Sequence, residues 1–215
     1  MNNNKLKTRC RLYLITPPKI NLNTFKDKLA RALDGGDVAC VQLRLKEASQ
    51  DKILHSIEVL KPIVQERNVA FILNDNPDLA AQTDCDGVHI GQKDAVFEQA
   101  RNIIGSNAIV GVTCHDKRYL AIEAAEKGAD YVAFGAFFSS QTKKTKNQPE
   151  LEILKIWSTM TTVPSVAIGG ISHDNCAPLI KAGADFLAVV SAIWNFDSGP
   201  KDAVKLFNQI IIESY

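Results

Sequence analysis

Apolar and polar positions along the chain fall into two alternating rhythms. Short, nearly continuous apolar runs stand at residues 11–16 (RLYLIT), 38–43 (VACVQL), 71–73 (FIL), 87–90 (GVHI), 108–112 (AIVGV), 131–135 (YVAFG), 165–168 (SVAI) and 186–190 (FLAVV). Such runs, bounded by Gly, Pro, Asn or Asp, predict strands buried on both faces, as in a parallel sheet. Between them apolar residues recur every three or four positions: Ile53, Ile57, Leu60 and Val64, then Val96, Phe97, Ala100, Ile103 and Ile104, and finally Val204, Phe207, Ile210 and Ile211. That spacing predicts amphipathic helices with one face laid on the sheet. Further helices are predicted over 24–33, 116–127 and 151–160, with Gly128 ending the second of these. Ser49 and Asn76 are natural N-caps, the latter followed by Pro77 at the first helical position. Ser172 is expected to cap a helix that stops at Gly183, and Ser191 to begin a short extra turn.

Eight strands alternating with eight helices is the (β/α)8 pattern. The predicted fold is therefore α/β, a single-domain (β/α)8 TIM barrel over residues 11–215, behind a polar tail at 1–10. An internal echo supports closure: Gly-Gly-Asp at 35–37, Asp86-Gly87, and Gly-Ala-Asp at 128–130 and 183–185 precede the second, fourth, sixth and eighth strands. A paired unit recurring four times suits a closed barrel better than a flavodoxin-like layered sheet.

Composition narrows the function classes. With 46% hydrophobic and 23% charged residues in 215, the chain can build one ordinary globular core. The formal net charge of +1 leaves no global electrostatic reason for a nucleic acid or an anionic membrane as partner. No run approaches the length of a bilayer span and the start lacks a signal-peptide pattern, so a cytoplasmic location is expected; a homo-oligomer is left open. The five cysteines are scattered without metal-like spacing and are expected to be reduced thiols, with Cys40 in the core. Cys114 and His115 are adjacent in a strand, where neighbours point to opposite faces, which argues against a nucleophile pair.

In such a barrel the active site lies at the C-terminal ends of the strands. Asp75 and Asp94 follow the third and fourth strands, and hard oxygen ligands on neighbouring strands suit Mg²⁺ shared with a substrate phosphate. Gln42, Arg44 and Lys46 alternate with Leu43 and Leu45 and are expected to share one face at the mouth, with Arg offering phosphate a planar fork and Lys a point charge. The long irregular segment 136–149 interleaves Ser140 and Thr142 with Lys143 and Lys144, the makings of a clamp that closes over a phosphate. Gly169-Gly170 and Val190-Ser191 stand where barrels build a phosphate cup from backbone amides after the last two strands. Two anion regions, one with metal ligands and cations and one with amides, point to two phosphorylated substrates and a transferase with diphosphate as leaving group.

The ordered set LYLIT, VQLRLK, ILND, DGVHIGQKD, GVTCH, GADYVAFG, SSQTKK, VAIGGI and GADFLAVVSAI resembles the thiamine-phosphate synthase (thiamine-phosphate pyrophosphorylase) family over nearly the whole chain. The resemblance implies small-molecule substrates, hydroxymethylpyrimidine diphosphate and a thiazole phosphate, joined to thiamine phosphate with loss of diphosphate through a pyrimidinylmethyl cation. It implies Mg²⁺ as cofactor on Asp75 and Asp94, with Gln42, Arg44, Lys46 and Asn74 on the pyrimidine diphosphate and Thr113 and Lys143 on its diphosphate. Ser140, Gln141, Thr142, Gly170, Val190 and Ser191 would hold the thiazole phosphate; Arg44, Lys46 and Lys143 are the cations expected to stabilise the departing charge. The chain departs from the family at Leu45, where an acid is common, at Thr113, where Ser is common, and in residues 136–140, which lack the family's proline. His89 is left between packing on the pyrimidine and plain structure. A thiazole tautomerase of the same superfamily, or a non-catalytic phosphate-binding barrel, would need the cup but not the complete diphosphate set.

The basic loop generates the first prediction. Trypsin should cut at Lys143 or Lys144 in the ligand-free protein, and diphosphate with Mg²⁺ should protect the site. Equal cleavage with and without saturating ligand, followed by gel and mass spectrometry, would make it an ordinary surface loop.

Overall fold

Each apolar run forms a strand, and each strand pairs in parallel with the next. The computed structural model describes residues 9–92, 96–139 and 148–215. Its first half runs β1 (Arg11–Ile15), α1 (Leu22–Leu33), β2 (Val38–Leu43), α2 (Gln50–Gln65), β3 (Ala70–Asn74), α3 (Pro77–Gln82), β4 (Gly87–Ile90) and α4 (Phe97–Ile104). The second half runs β5 (Ile109–His115), α5 (Arg118–Glu126), β6 (Tyr131–Gly135), α6 (Glu152–Met160), β7 (Ser165–Ile168), α7 (Ala177–Lys181), β8 (Phe186–Val189), α8 (Ser191–Trp194) and α9 (Pro200–Glu213). The strands follow one another in chain order and β8 pairs with β1, so the sheet is a closed barrel, as its pattern predicts.

The period of two sorts the strand residues. Leu12, Leu14, Val41, Leu43, Phe71, Leu73, Val132, Phe134 and Leu187 point outward and pack beneath the helices in the larger core cluster. Tyr13, Ile15, Cys40, Ile72, Tyr131, Ala133, Val166 and Ala188 form a separate cluster that fills the barrel interior.

Local signals set most helix starts. The side chains of Ser49 and Asn76 accept from the amides of Lys52 (3.4 Å) and Leu79 (2.9 Å), as predicted. Two starts differ. Asn21 caps α1 two residues before the expected position, accepting from the amide of Asn23, and α5 begins at Arg118 rather than at Asp116. Ser172 is not a helix cap: its amide donates to Oδ1 of Asn175 (2.8 Å), and α7 starts only at Ala177, with Pro178 in its first turn. The Asn175 side chain offers the backbone a local alternative to the helix, which delays it by a turn. Cys10, at the edge of the expected tail, is buried, and its amide donates to the Tyr215 hydroxyl (2.8 Å).

The four-fold echo has a physical cause at the N-terminal ends of the strands. Asp86, Asp130 and Asp185 each accept, on Oδ2, the amide of a residue at the start of the preceding strand: Phe71 (2.7 Å), Val110 (2.7 Å) and Ser165 (2.8 Å). Each Asp amide in turn donates to the carbonyl of that same residue, at 3.0, 3.0 and 3.1 Å. Asp37 departs from the pattern: its carboxylate takes the Arg11 guanidinium instead of a backbone amide of β1. That ion pair is half exposed, with side chains 44% and 52% accessible, and contributes at most about 1 kcal/mol. A carboxylate accepting buried amides contributes more, about 1.5–3 kcal/mol.

Two outcomes follow from this packing. Asp185→Ala strips both the amide and the hydroxyl of fully buried Ser165 of their acceptor, so urea unfolding should show a loss of about 2 kcal/mol. Turnover of the folded variant should stay close to that of the parent, because this end of the barrel carries no substrate. All five thiols are buried; burial pushes Cys10 and Cys114 up to about 12 and Cys176 up to about 11, and raises Cys40 and Cys85. Because the thiolate is the reactive form, Ellman's reagent at pH 8 should find no thiol in the native protein and all five in denaturant.

Candidate active site

Barrel order dictates which strand ends meet at the mouth. β2, β3, β4 and β5 are consecutive neighbours, so Gln42, Arg44, Asn74, Asp75, His89 and Thr113 line one arc. Across the mouth β7 and β8 bring Gly170, Val190 and Ser191 together.

On the first arc, strand alternation stops at Leu43, and the expected common face of Gln42, Arg44 and Lys46 does not continue past it. Gln42 is drawn inside the barrel, 2% exposed, where Nε2 donates to the Tyr13 hydroxyl (2.8 Å). Arg44 lies half-buried at the rim, its amide held by Oγ1 of buried Thr16 (2.9 Å), and Lys46 is exposed in a turn whose amide donates to the Pro18 carbonyl. The two cations therefore reach the mouth from an ordered loop, free to meet an anion that the interior could not admit.

Asn74 stands opposite His89 in the β3–β4 register. Asp75 follows with φ of 64°, a left-handed conformation that Asp tolerates better than most residues, and its amide donates to the His89 carbonyl (2.8 Å). That bend turns an exposed carboxylate out at the end of β3. The expected companion Asp94 lies outside the described residues, as do Ser140, Gln141, Thr142, Lys143 and Lys144. The two residues flanking that second segment touch: Gln148 Nε2 donates to Ser139 Oγ (3.2 Å).

His89 is buried, with both ring nitrogens engaged: Nδ1 meets the Tyr131 hydroxyl (2.9 Å) and Nε2 meets Thr113 Oγ1 (2.8 Å). Its ring also lies nearly parallel to that of Tyr131, at 15° with centroids 5.6 Å apart. Gln92 donates to the Thr113 carbonyl (2.6 Å), fixing the end of β5. Cys114 points away into the outer core with no exposed surface while His115 is exposed, so these neighbours do face opposite ways.

The second arc is built from backbone. Gly169 and Gly170 adopt φ of 104° and 62°, and a Cβ at either would overlap the chain at Ala136 or at Phe138 and Ser139. The amides of Phe137 and Phe138 donate to the carbonyls of Ile168 (3.1 Å) and Gly169 (3.0 Å), so the start of the loop after β6 is strapped to the end of β7. Asn175 Nδ2 holds the Gly170 carbonyl (2.9 Å), leaving the amide side of that turn to the mouth. Trp194 Nε1 donates to the Ile15 carbonyl (2.7 Å), anchoring α8 and with it Ser191 against β1. A backbone turn of this shape, free of bulky side chains at its glycines, is the kind that can offer amides to an oxyanion.

Tyr13, Thr16, Gln92, Gly111 and Tyr131 stand within the motifs quoted above without an assigned role, and the structure brings them to this site. A signal exists for three of them. A tyrosine at an inward position of an apolar strand needs a partner for its hydroxyl, and a glycine within a strand marks a close approach. A Cβ at Gly111 would overlap the Tyr131 ring.

The chain has counterparts among known proteins. A family model described as thiamine monophosphate synthase matches residues 12–193. A thiamine-phosphate synthase of Rhodospirillum centenum is 58% identical over 204 residues, 95% of this chain and 99% of that one. One of Hyphomonas neptunium is 45% identical over 95% of each chain. Among solved structures, the thiamine phosphate pyrophosphorylase from Pyrococcus furiosus superposes with a TM-score of 0.82 at 30% identity, over 98% of this chain and 99% of that one. With the closed barrel in place and similarity running from the first strand through α8, this chain belongs to the thiamine monophosphate synthase family.

Proposed function

We propose that this protein joins hydroxymethylpyrimidine diphosphate to a thiazole phosphate, giving thiamine phosphate and diphosphate. The observation that carries the reading is the division of one mouth into a polar arc with Arg44, Asn74, Asp75 and Thr113 and a backbone cup at Gly170 and Ser191. Two anions of different size can be held there facing each other, which brings a methylene carbon and a ring nitrogen within reach.

The bond between that methylene and the diphosphate oxygen breaks first. Both electrons leave with diphosphate, and the cation that remains on the pyrimidinylmethyl group is captured by the thiazole nitrogen, forming the new C–N bond. Negative charge grows on the departing oxygens, so groups fixed around them lower the barrier more than they tighten substrate binding. Arg44 supplies a planar pair of donors and Lys46 a mobile charge. Thr113 supplies a hydroxyl, and Lys143 of the loop is assigned a charge on the same group.

Asp75 fits Mg²⁺, since a hard carboxylate turned out at a strand end suits an ion that takes one or two protein oxygens and completes its octahedron with water and phosphate oxygens. Asp75 with Asp94 would hold the ion, which when bound neutralises charge on the leaving diphosphate. We place the reaction in the cytoplasm, in keeping with five unpaired thiols.

Asp75→Asn keeps size and hydrogen-bonding capacity but removes the charge. Diphosphate release from the two substrates should slow by about 10²–10³-fold, while thiazole phosphate binding, measured by calorimetry, should hardly change. Unchanged turnover in the folded variant would remove Asp75 from the metal site. Wild-type protein that released no diphosphate with any divalent metal, yet exchanged the thiazole ring proton, would be a tautomerase instead.

A further inference from the structure

Across the barrel interior runs an unbroken line of polar groups, of which the proposed reaction uses only the last, Thr113. Gln42 Nε2 lies 2.8 Å from the Tyr13 hydroxyl, that hydroxyl 2.8 Å from the Tyr131 hydroxyl, Tyr131 2.9 Å from His89 Nδ1, and His89 Nε2 2.8 Å from Thr113 Oγ1. Five side chains from β2, β1, β6, β4 and β5 are thereby joined, and only the last of them opens to the mouth.

The donors in this line can be counted. An amide nitrogen can only donate, so Tyr13 accepts from Gln42, and its one proton goes to the Tyr131 hydroxyl in preference to the neighbouring Cys40 thiol, a much weaker acceptor. Tyr131, having accepted, has one proton left for His89 Nδ1. A neutral imidazole that accepts at Nδ1 must carry its proton on Nε2, where it donates to Thr113 Oγ1. The Thr113 proton is then turned outward. Both tyrosines stay protonated, because burial raises each well above the usual phenol range.

We propose that Tyr131 is a positioning residue: together with Tyr13 and Gln42 it sets His89 as the Nε2–H tautomer, which makes the Thr113 hydroxyl a donor to an oxyanion at the mouth. With the opposite polarity Thr113 would donate inward to His89 and present only lone pairs to an arriving phosphate, a repulsive contact. The packing agrees with this role. Tyr131 pairs in register with Gly111, two residues before Thr113 on the same face of β5, and the missing Cβ there makes room for the ring beneath the His89–Thr113 bond. Tyr13 meets it edge-on, at 76° with centroids 5.8 Å apart, so the phenol cannot swing away from His89 without displacing its neighbour.

Taking the oxyanion to be the leaving diphosphate rests on the function proposed above; the polarity itself does not. The test therefore begins without substrate. Long-range ¹H–¹⁵N correlation of the four histidines, with His89 assigned by its loss in His89→Asn, should show His89 in the Nε2–H form in the ligand-free protein. The Nδ1–H form, or an imidazolium, would overturn the proposal whatever reaction the protein catalyses. Tyr131→Phe should then abolish the single tautomer and lower kcat about tenfold, less than the ~10²-fold expected for Thr113→Val, which removes the donor outright. If Tyr131 acts only through Thr113, the double variant is no slower than Thr113→Val alone. Full additivity of the two losses would mean that Tyr131 is merely structural and would also overturn the proposal.

Discussion

Closure of the sheet is the constraint on which the rest of this structure depends. Once β8 pairs with β1, every strand has a single inward face, and an eight-stranded barrel is wide enough only for side chains. Large residues at Tyr13, Ile72 and Tyr131 must be met by small ones, and Gly87, Gly111, Ala133 and Ala188 are the inward positions that yield. Gly111 is the strictest of these because the Tyr131 ring occupies the place of its side chain. Polar groups admitted to such an interior are costly unless they are paired. Each hydroxyl, amide and imidazole admitted there needs a protein partner, and the chain from Gln42 to Thr113 meets that requirement with members from five strands.

Parallel strands give the barrel two unlike ends, and the chain assigns them unlike work. At the N-terminal ends, Asp86, Asp130 and Asp185 turn their carboxylates back onto backbone amides and are used up by the fold. At the C-terminal ends, Asp75 is bent outward and exposed. Both sets are aspartates beside apolar strands. What separates them is direction: a carboxylate just before a strand meets the amide that opens the preceding strand, whereas one just after a strand projects into the mouth. The ion pairs on the outer surface, such as Lys127 with Glu98 and Glu123, are exposed and add little to either end.

The family's polar arc and amide cup also differ in how they are made. The arc depends on side chains, Arg44, Asn74 and Asp75 among them. The cup depends on backbone shape, which Gly169, Gly170 and Asn175 impose, and the strap from Phe137 and Phe138 links that shape to the loop carrying Lys143. The end of β7 and the first residues after β6 therefore share a set of hydrogen bonds.

By itself the sequence determined the strands, their number and their parallel order, because a period of two, a period near 3.6 and a four-fold Gly/Asp echo are all local or repeating signals. It also determined which polar residues end or follow the strands, among them Arg44, Asn74, Asp75 and Thr113 and, after the last two strands, Gly170 and Ser191. Only the tertiary structure decided that Gln42 faces the interior while Arg44 and Lys46 leave the strand for the rim, that Asn175 rather than Ser172 shapes the turn before α7, and that Tyr13, Tyr131 and His89 form one line. The physical reason is distance along the chain. Tyr13 and Tyr131 are 118 residues apart and His89 stands 42 from Tyr131, so their contact arises from closure of the sheet, which no local pattern of residues encodes.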